Sequence, residues 1–143
     1  MSDETKGNVL AEVEAMEAAA FRTGLMARRL LAEHPDLPVK EIRPGFVSGG
    51  NAELQIDTGD CDGVHAWAER FGLGTESKIS SFMLGNGYES VYEACRGEGQ
   101  IDGVGIELLG TRGVDGAERE AWIAERDQAA AEPTAESGTG GTE

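Results

Sequence analysis

The sequence predicts an α+β fold, a single domain with an antiparallel sheet of about five strands packed by helices, in the order α-ββ-α-βββ-α. Three observations predict it. Apolar residues recur at spacings of three and four in some segments and alternate in others, the periods of helices and half-buried strands. Glycine-rich turns separate the alternating runs, as hairpins require. The helical segments stand apart from the runs of hairpins, which is the pattern of an antiparallel sheet covered by helices. The 143 residues suit one such domain. It is expected over residues 9–131, with a flexible N-terminus at 1–8 and an acidic Gly/Thr/Glu tail at 132–143. That tail has no large apolar residue, so burial cannot offset the entropy of ordering it.

The first helix is expected from a cap at Asn8 to about Glu33. Val9, Val13, Met16, Ala20, Ala27 and Leu31 repeat along it, and Phe21, Leu25 and Leu30 widen the stripe. Gly24 lies inside it and costs about 1 kcal/mol relative to alanine. The stretch His34-Pro35-Asp36-Leu37-Pro38 ends it, because a residue before proline is pushed out of the helical region. Two strands follow, Val39 to Val47 and Ala52 to Asp57, joined through Ser48-Gly49-Gly50-Asn51. Ala52, Leu54 and Ile56 share one face of the second. Pro44 cannot donate a ladder hydrogen bond, which puts the first at an edge or a bulge. A second helix, capped by Asp60 or Asp62, is expected to present Val64, Trp67, Ala68 and Phe71 on one face and to stop at Gly72. Strands are then expected at Lys78 to Leu84, Tyr88 to Cys95 and Ile101 to Leu109, and a last helix from about Ala117 to Ala130.

Charge narrows the function classes. Twelve Lys and Arg against 27 Asp and Glu leave a formal charge of −15. Such a protein repels a phosphate backbone, so no direct nucleic-acid binding is expected. Docking on anionic lipid needs a polybasic patch, and a membrane helix needs roughly 20 apolar residues; neither is present, so no membrane partner is expected. The start Met1-Ser2-Asp3-Glu4 lacks the basic and apolar regions of a signal peptide, and the two cysteines do not make a disulfide framework. The expectation is a cytoplasmic protein without a cofactor.

Few residues carry candidate chemistry. With Gly63 as the turn glycine of a calcium loop, Asp60 and Asp62 fall at ligand positions and Glu69 at the bidentate position. Thr58 stands where the first Asp belongs, and His65 where an apolar residue belongs. The plainer reading is a polar turn whose aspartates cap the next helix. Cys61 and His65, four apart, are the minimum for a nucleophile and its base, but Asp60 and Asp62 oppose thiolate formation. Zinc would need further soft ligands, with Cys95 and His34 alone left to supply them. Gly97, Gly99, Gly103 and Gly105 do not make a dinucleotide fingerprint; a strand bend or bulge is the plainer reading, and a shallow groove the sharper one. Tyr88 and Tyr92 share parity on one strand. They form either a partner-binding face or part of the packing under a helix.

One resemblance adds context. Leu54-Gln55-Ile56 closes a strand, Val64-His65-Ala66-Trp67-Ala68-Glu69-Arg70-Phe71-Gly72 follows the form Val-x-x-Trp-Ala-x-x-Leu-Gly with Phe71 for Leu, and Val104-Gly105-Ile106 ends a later strand region. In these motifs residues 39–111 resemble small proteins of actinobacteria and their phages or mobile elements. The resemblance implies an accessory role in such a setting and nothing about chemistry. The leading expectation is a non-enzymatic acidic accessory protein that binds another protein. The alternatives are an inhibitor of a host defence or DNA-processing protein that imitates DNA with its carboxylates, and a small enzyme or metal-binding protein around Asp60–Glu69.

Overall fold

The computed structural model describes residues 3–45 and 51–131. Its elements are α1 (Asp3–Glu33), β1 (Glu41–Pro44), β2 (Glu53–Gly59), α2 (Cys61–Phe71), β3 (Gly74–Met83), β4 (Glu89–Ile101), β5 (Val104–Val114) and α3 (Gly116–Ala131). This is the expected order and the expected α+β class. The glycine turn at 48–50 and the tail at 132–143 lie outside the described residues. Residues 3–8, read as a flexible end, are helical, so α1 begins before Asn8 and that residue is not its cap.

The five strands lie in the order β1-β2-β5-β4-β3. The sheet is mixed, which corrects the antiparallel expectation. β1 pairs antiparallel with β2, while β2 pairs parallel with β5, Leu54 beside Ile106 and Ile56 beside Leu108. The connection explains the difference. α2 carries the chain back from the end of β2, so that β3 restarts in the direction of β2. Two tight reversals follow, and β5 again runs parallel to β2. The second reversal is the two-residue turn Asp102-Gly103, with φ of 49° and 82°, both in the left-handed region that a hairpin turn of this kind needs. It is displaced from the expected break at Arg96–Gln100. Those residues belong to β4, where the glycines make room: a Cβ on Gly97 would come within 2.8 Å of Leu108 Cδ1. β1, with Pro44, occupies the expected edge.

The chain forms two compact units, one of residues up to Ser80 with Glu93–Arg112, the other of Ser81–Tyr92 with residues from Gly113 onward. The first holds the main core. Ala52, Leu54 and Ile56 are buried as their alternation predicts, together with Ile106 and Leu108 of β5 and Val64, Trp67 and Ala68 of α2. Trp67 is fully buried, and its indole N–H donates to the Pro38 carbonyl at 2.8 Å, so the largest core side chain leaves no polar atom unpaired. From α1 come Ala19, Met26 and Leu30, with Thr23 donating to the Ala19 carbonyl at 2.9 Å. The second unit is the β3–β4 hairpin end with α3. α3 contains no buried residue, and Val91 and Val114 are the unit's buried apolar side chains among the described residues.

Candidate protein-binding surface

Among the described residues, the β3–β4 hairpin end presents the densest group of large exposed apolar side chains near one turn. The Leu84 N–H donates to the Tyr88 carbonyl at 2.8 Å, the Gly87 N–H to the Leu84 carbonyl at 2.9 Å, and the Tyr88 N–H to Asn86 Oδ1 at 3.0 Å. An asparagine and a left-handed glycine at φ 85° suit such a turn. Around it Phe82 is 52 % exposed, Met83 64 %, Leu84 41 % and Tyr88 46 %. Single exposed apolar residues are ordinary; four within seven residues at one turn are the composition of a contact patch.

Polar contacts hold this patch in place. The Arg119 guanidinium lies 4.5 Å from the Tyr88 ring centroid and donates to the Glu89 carbonyl at 2.9 and 3.1 Å. Arg126 pairs with the Glu89 carboxylate, which also accepts from the Ser81 hydroxyl at 2.6 Å. The Arg126 hydrogen bond, then that of Ser81, holds the Glu89 carboxyl below its usual range, and Glu89 raises Arg126 in turn. Of the two expected tyrosines, Tyr88 is exposed under Arg119. Tyr92 is half-buried against Phe82, ring centroids 5.8 Å apart. From the sequence, Tyr88 and Tyr92 are singled out here but not Phe82, Met83 or Leu84. Their signal was present as three consecutive apolar residues directly before a turn.

The other expected site disperses. Asp60 is the N-cap of α2, its carboxylate accepting from the Gly63 N–H at 2.8 Å. Asp62 and Glu69 lie on α2 itself, seven residues or about 10 Å apart along the axis. Asp60, Asp62 and Glu69 therefore do not converge on one ion in this arrangement, because the helix begins where the calcium loop would have to continue. Cys61 forms a disulfide with Cys95, Cα atoms 5.4 Å apart, which corrects the reading of Cys61 as a thiol nucleophile and of Cys95 as a spare soft ligand. Helix geometry puts Cys61 at the first position of α2, over β4, and spacing in sequence does not reveal that. Among the described residues one metal-like cluster forms, Cys61, Glu93 and Cys95, with ligand atoms within 4.8 Å of one another. It offers three donors only when the cysteines are reduced, fewer than a closed zinc site takes, and Glu93 is already paired with Arg112 at 2.9 Å. His34 packs edge-on to Phe71 at 4.8 Å, with Nδ1 3.0 Å from Arg70.

No helix among the described residues is long and apolar enough to cross a membrane. No family model, curated protein or solved structure matches the chain.

Proposed function

We propose that the protein is a non-enzymatic binding protein whose β3–β4 hairpin end inserts Phe82, Met83, Leu84 and Tyr88 into an apolar site on another protein. The observation that carries this reading is the exposure of those four side chains on a turn braced by Arg119, Arg126 and Glu89. Bracing lowers the entropy lost on docking, and aromatic anchors dominate the energy of such contacts. The charge of −15 favours a partner with a basic surface around its apolar site and speeds encounter with it. The engagement of Asp60 as a cap and of both cysteines in a disulfide supports a non-enzymatic role. The disulfide also favours an oxidising compartment over the cytoplasmic location expected from the sequence, since such bonds are rare in reducing cytosol. An accessory role in a phage or mobile element stays an inference from the resemblance at residues 39–111.

The test compares the natural sequence with a Phe82→Ser, Met83→Ser, Tyr88→Ser variant as baits in native-host lysate treated with nuclease, at low and high salt. A stoichiometric protein held by the natural sequence at both salts and lost by the variant supports the proposal. Equal capture by both baits overturns it. Capture abolished by salt alone shifts the reading to the carboxylates and to DNA imitation, because apolar contacts resist salt and exposed charge pairs do not.

A further inference from the structure

α1 is 31 residues long, about 46 Å at 1.5 Å per residue. Its buried residues, Ala19, Thr23, Met26 and Leu30, all fall in its C-terminal half, and residues 3–18 are exposed without exception. A solvated half-helix is ordinarily polar all round. This one exposes Val9, Leu10, Val13 and Met16.

The apolar positions have a register. Val9, Val13, Met16, Ala20, Gly24, Ala27 and Leu31 follow one another at steps of three and four and wind along one stripe of α1 beside its buried face. The stripe is symmetric about Ala20. Turned end over end against a copy of itself, Val9 comes level with Leu31, Val13 with Ala27, Met16 with Gly24, and Ala20 with Ala20. Large residues thus meet small ones at the two inner levels. Gly24 has open space where a Cβ would stand, and the helix there borders a groove of about 200 Å³ walled by Ile42, Pro44 and Leu54. That groove lies where the Met16 side chain of a second copy arrives.

Charge selects the direction. Residues 3–17 carry five acidic side chains and one basic, a net of −4, while residues 18–33 carry three arginines and one glutamate, a net of +2. Parallel copies would set like against like. Antiparallel copies set the acidic half of each against the basic half of the other; Arg28 borders the stripe there, while Arg22 and Arg29 lie two residues from its members, on the far side of the helix, where Arg29 pairs with Asp102 at 2.5 Å.

We propose that α1 is the interface of an antiparallel homodimer, in which the exposed half of each helix packs over the small-residue half of the other. This surface belongs to a different part of the chain from the β3–β4 hairpin and stands independently of the function proposed above.

Sedimentation equilibrium of the full chain tests it, with a dimer of twice 15.1 kDa expected. A Val13→Glu, Met16→Glu variant is expected to weaken association by at least about tenfold, the effect of losing a central apolar anchor. An unchanged near-UV signal from buried Trp67 shows that the variant still folds. For direction, a nitroxide on Gly7→Cys serves, because the native cysteines are already joined. An antiparallel pair separates the two labels by about 39 Å along the axis, and a parallel pair brings them to about 10 Å. A monomer at all concentrations, association untouched by the double substitution, or the short label distance each overturns the proposal.

Discussion

At the scale of single residues, the core tolerates little at Gly110 and Trp67, and the exposed cap Asp60 contributes less. Gly110 lies on β5 under the β2–α2 junction, and a Cβ there would stand 2.2 Å from the Asp60 carbonyl oxygen. The obstacle is backbone, so it cannot swing aside as a side-chain end could. Gly110→Ala is expected to cost about 3 kcal/mol or more, at or beyond the upper end of ordinary overpacking, read from urea melts. Trp67→Phe removes the donor to Pro38 and leaves a void in the same step. Its expected cost is about 2–4 kcal/mol from the orphaned carbonyl and the cavity together. Asp60→Ala deletes the α2 cap and should cost about 1 kcal/mol. It should leave the melt equally insensitive to calcium, because the carboxylate is spent on Gly63. A calcium-dependent melt of the natural sequence that Asp60→Ala abolishes would restore the metal reading.

At the scale of elements, α3 is held by charge in addition to the packing of half-buried Trp122 and Ile123. It has no buried residue, and Arg119 and Arg126 tie it to the β3–β4 hairpin through Glu89. Glu89 ionises more readily in the folded protein than in an unfolded chain, chiefly through Arg126. The stability it contributes is therefore complete above the unfolded-state pKa and is lost as pH falls through the lower, folded-state value. Trypsin cleavage within α3 should accordingly be slow at neutral pH. After acid exposure, a complementary acid-stable protease should cut the same helix quickly. In Glu89→Gln the helix should be cut readily at neutral pH, and the acid step should change little. An acid response that persists unchanged in Glu89→Gln would assign it to other carboxylates. The Arg126–Glu89 pair is partly exposed, so salt should weaken the same attachment modestly.

At the scale of the whole molecule, the Cys61–Cys95 bond, across a sequence separation of 34, closes a loop that holds all of α2, all of β3 and half of β4. A cross-link over that length restricts the unfolded chain by about 3–4 kcal/mol. Mild reductant is expected to lower the thermal midpoint by an amount matching Cys61→Ser, Cys95→Ser. Intact-mass measurement of protein from its native source decides whether the bond exists there. A mass with both thiols free would return the chain to the reducing compartment expected from its sequence.

Much of this architecture was legible in the residues alone. The alternation Ala52, Leu54, Ile56 marked the buried face of β2, the stripe Val64, Trp67, Ala68 marked that of α2, and Asp60 and Gly72 marked its ends, because each is written within one turn or one strand. Pro44 marked an edge because a missing N–H is a local fact. What joined distant segments was not legible. The parallel pairing of β2 with β5 depends on how α2 returns the chain, and Gly97 and Gly99 read as a break between strands because nothing nearby reveals that Leu108 fills the space beside the first and Leu73 that beside the second. The Cys61–Cys95 bond and the scattering of Asp60, Asp62 and Glu69 follow from where α2 begins over β4. The sequence by itself determined which segments are helix or strand and which faces turn inward, since those depend on local period and local entropy. The tertiary structure alone decided strand direction, the cysteine pairing and which apolar residues stay in water, since each depends on contacts between residues far apart in the chain.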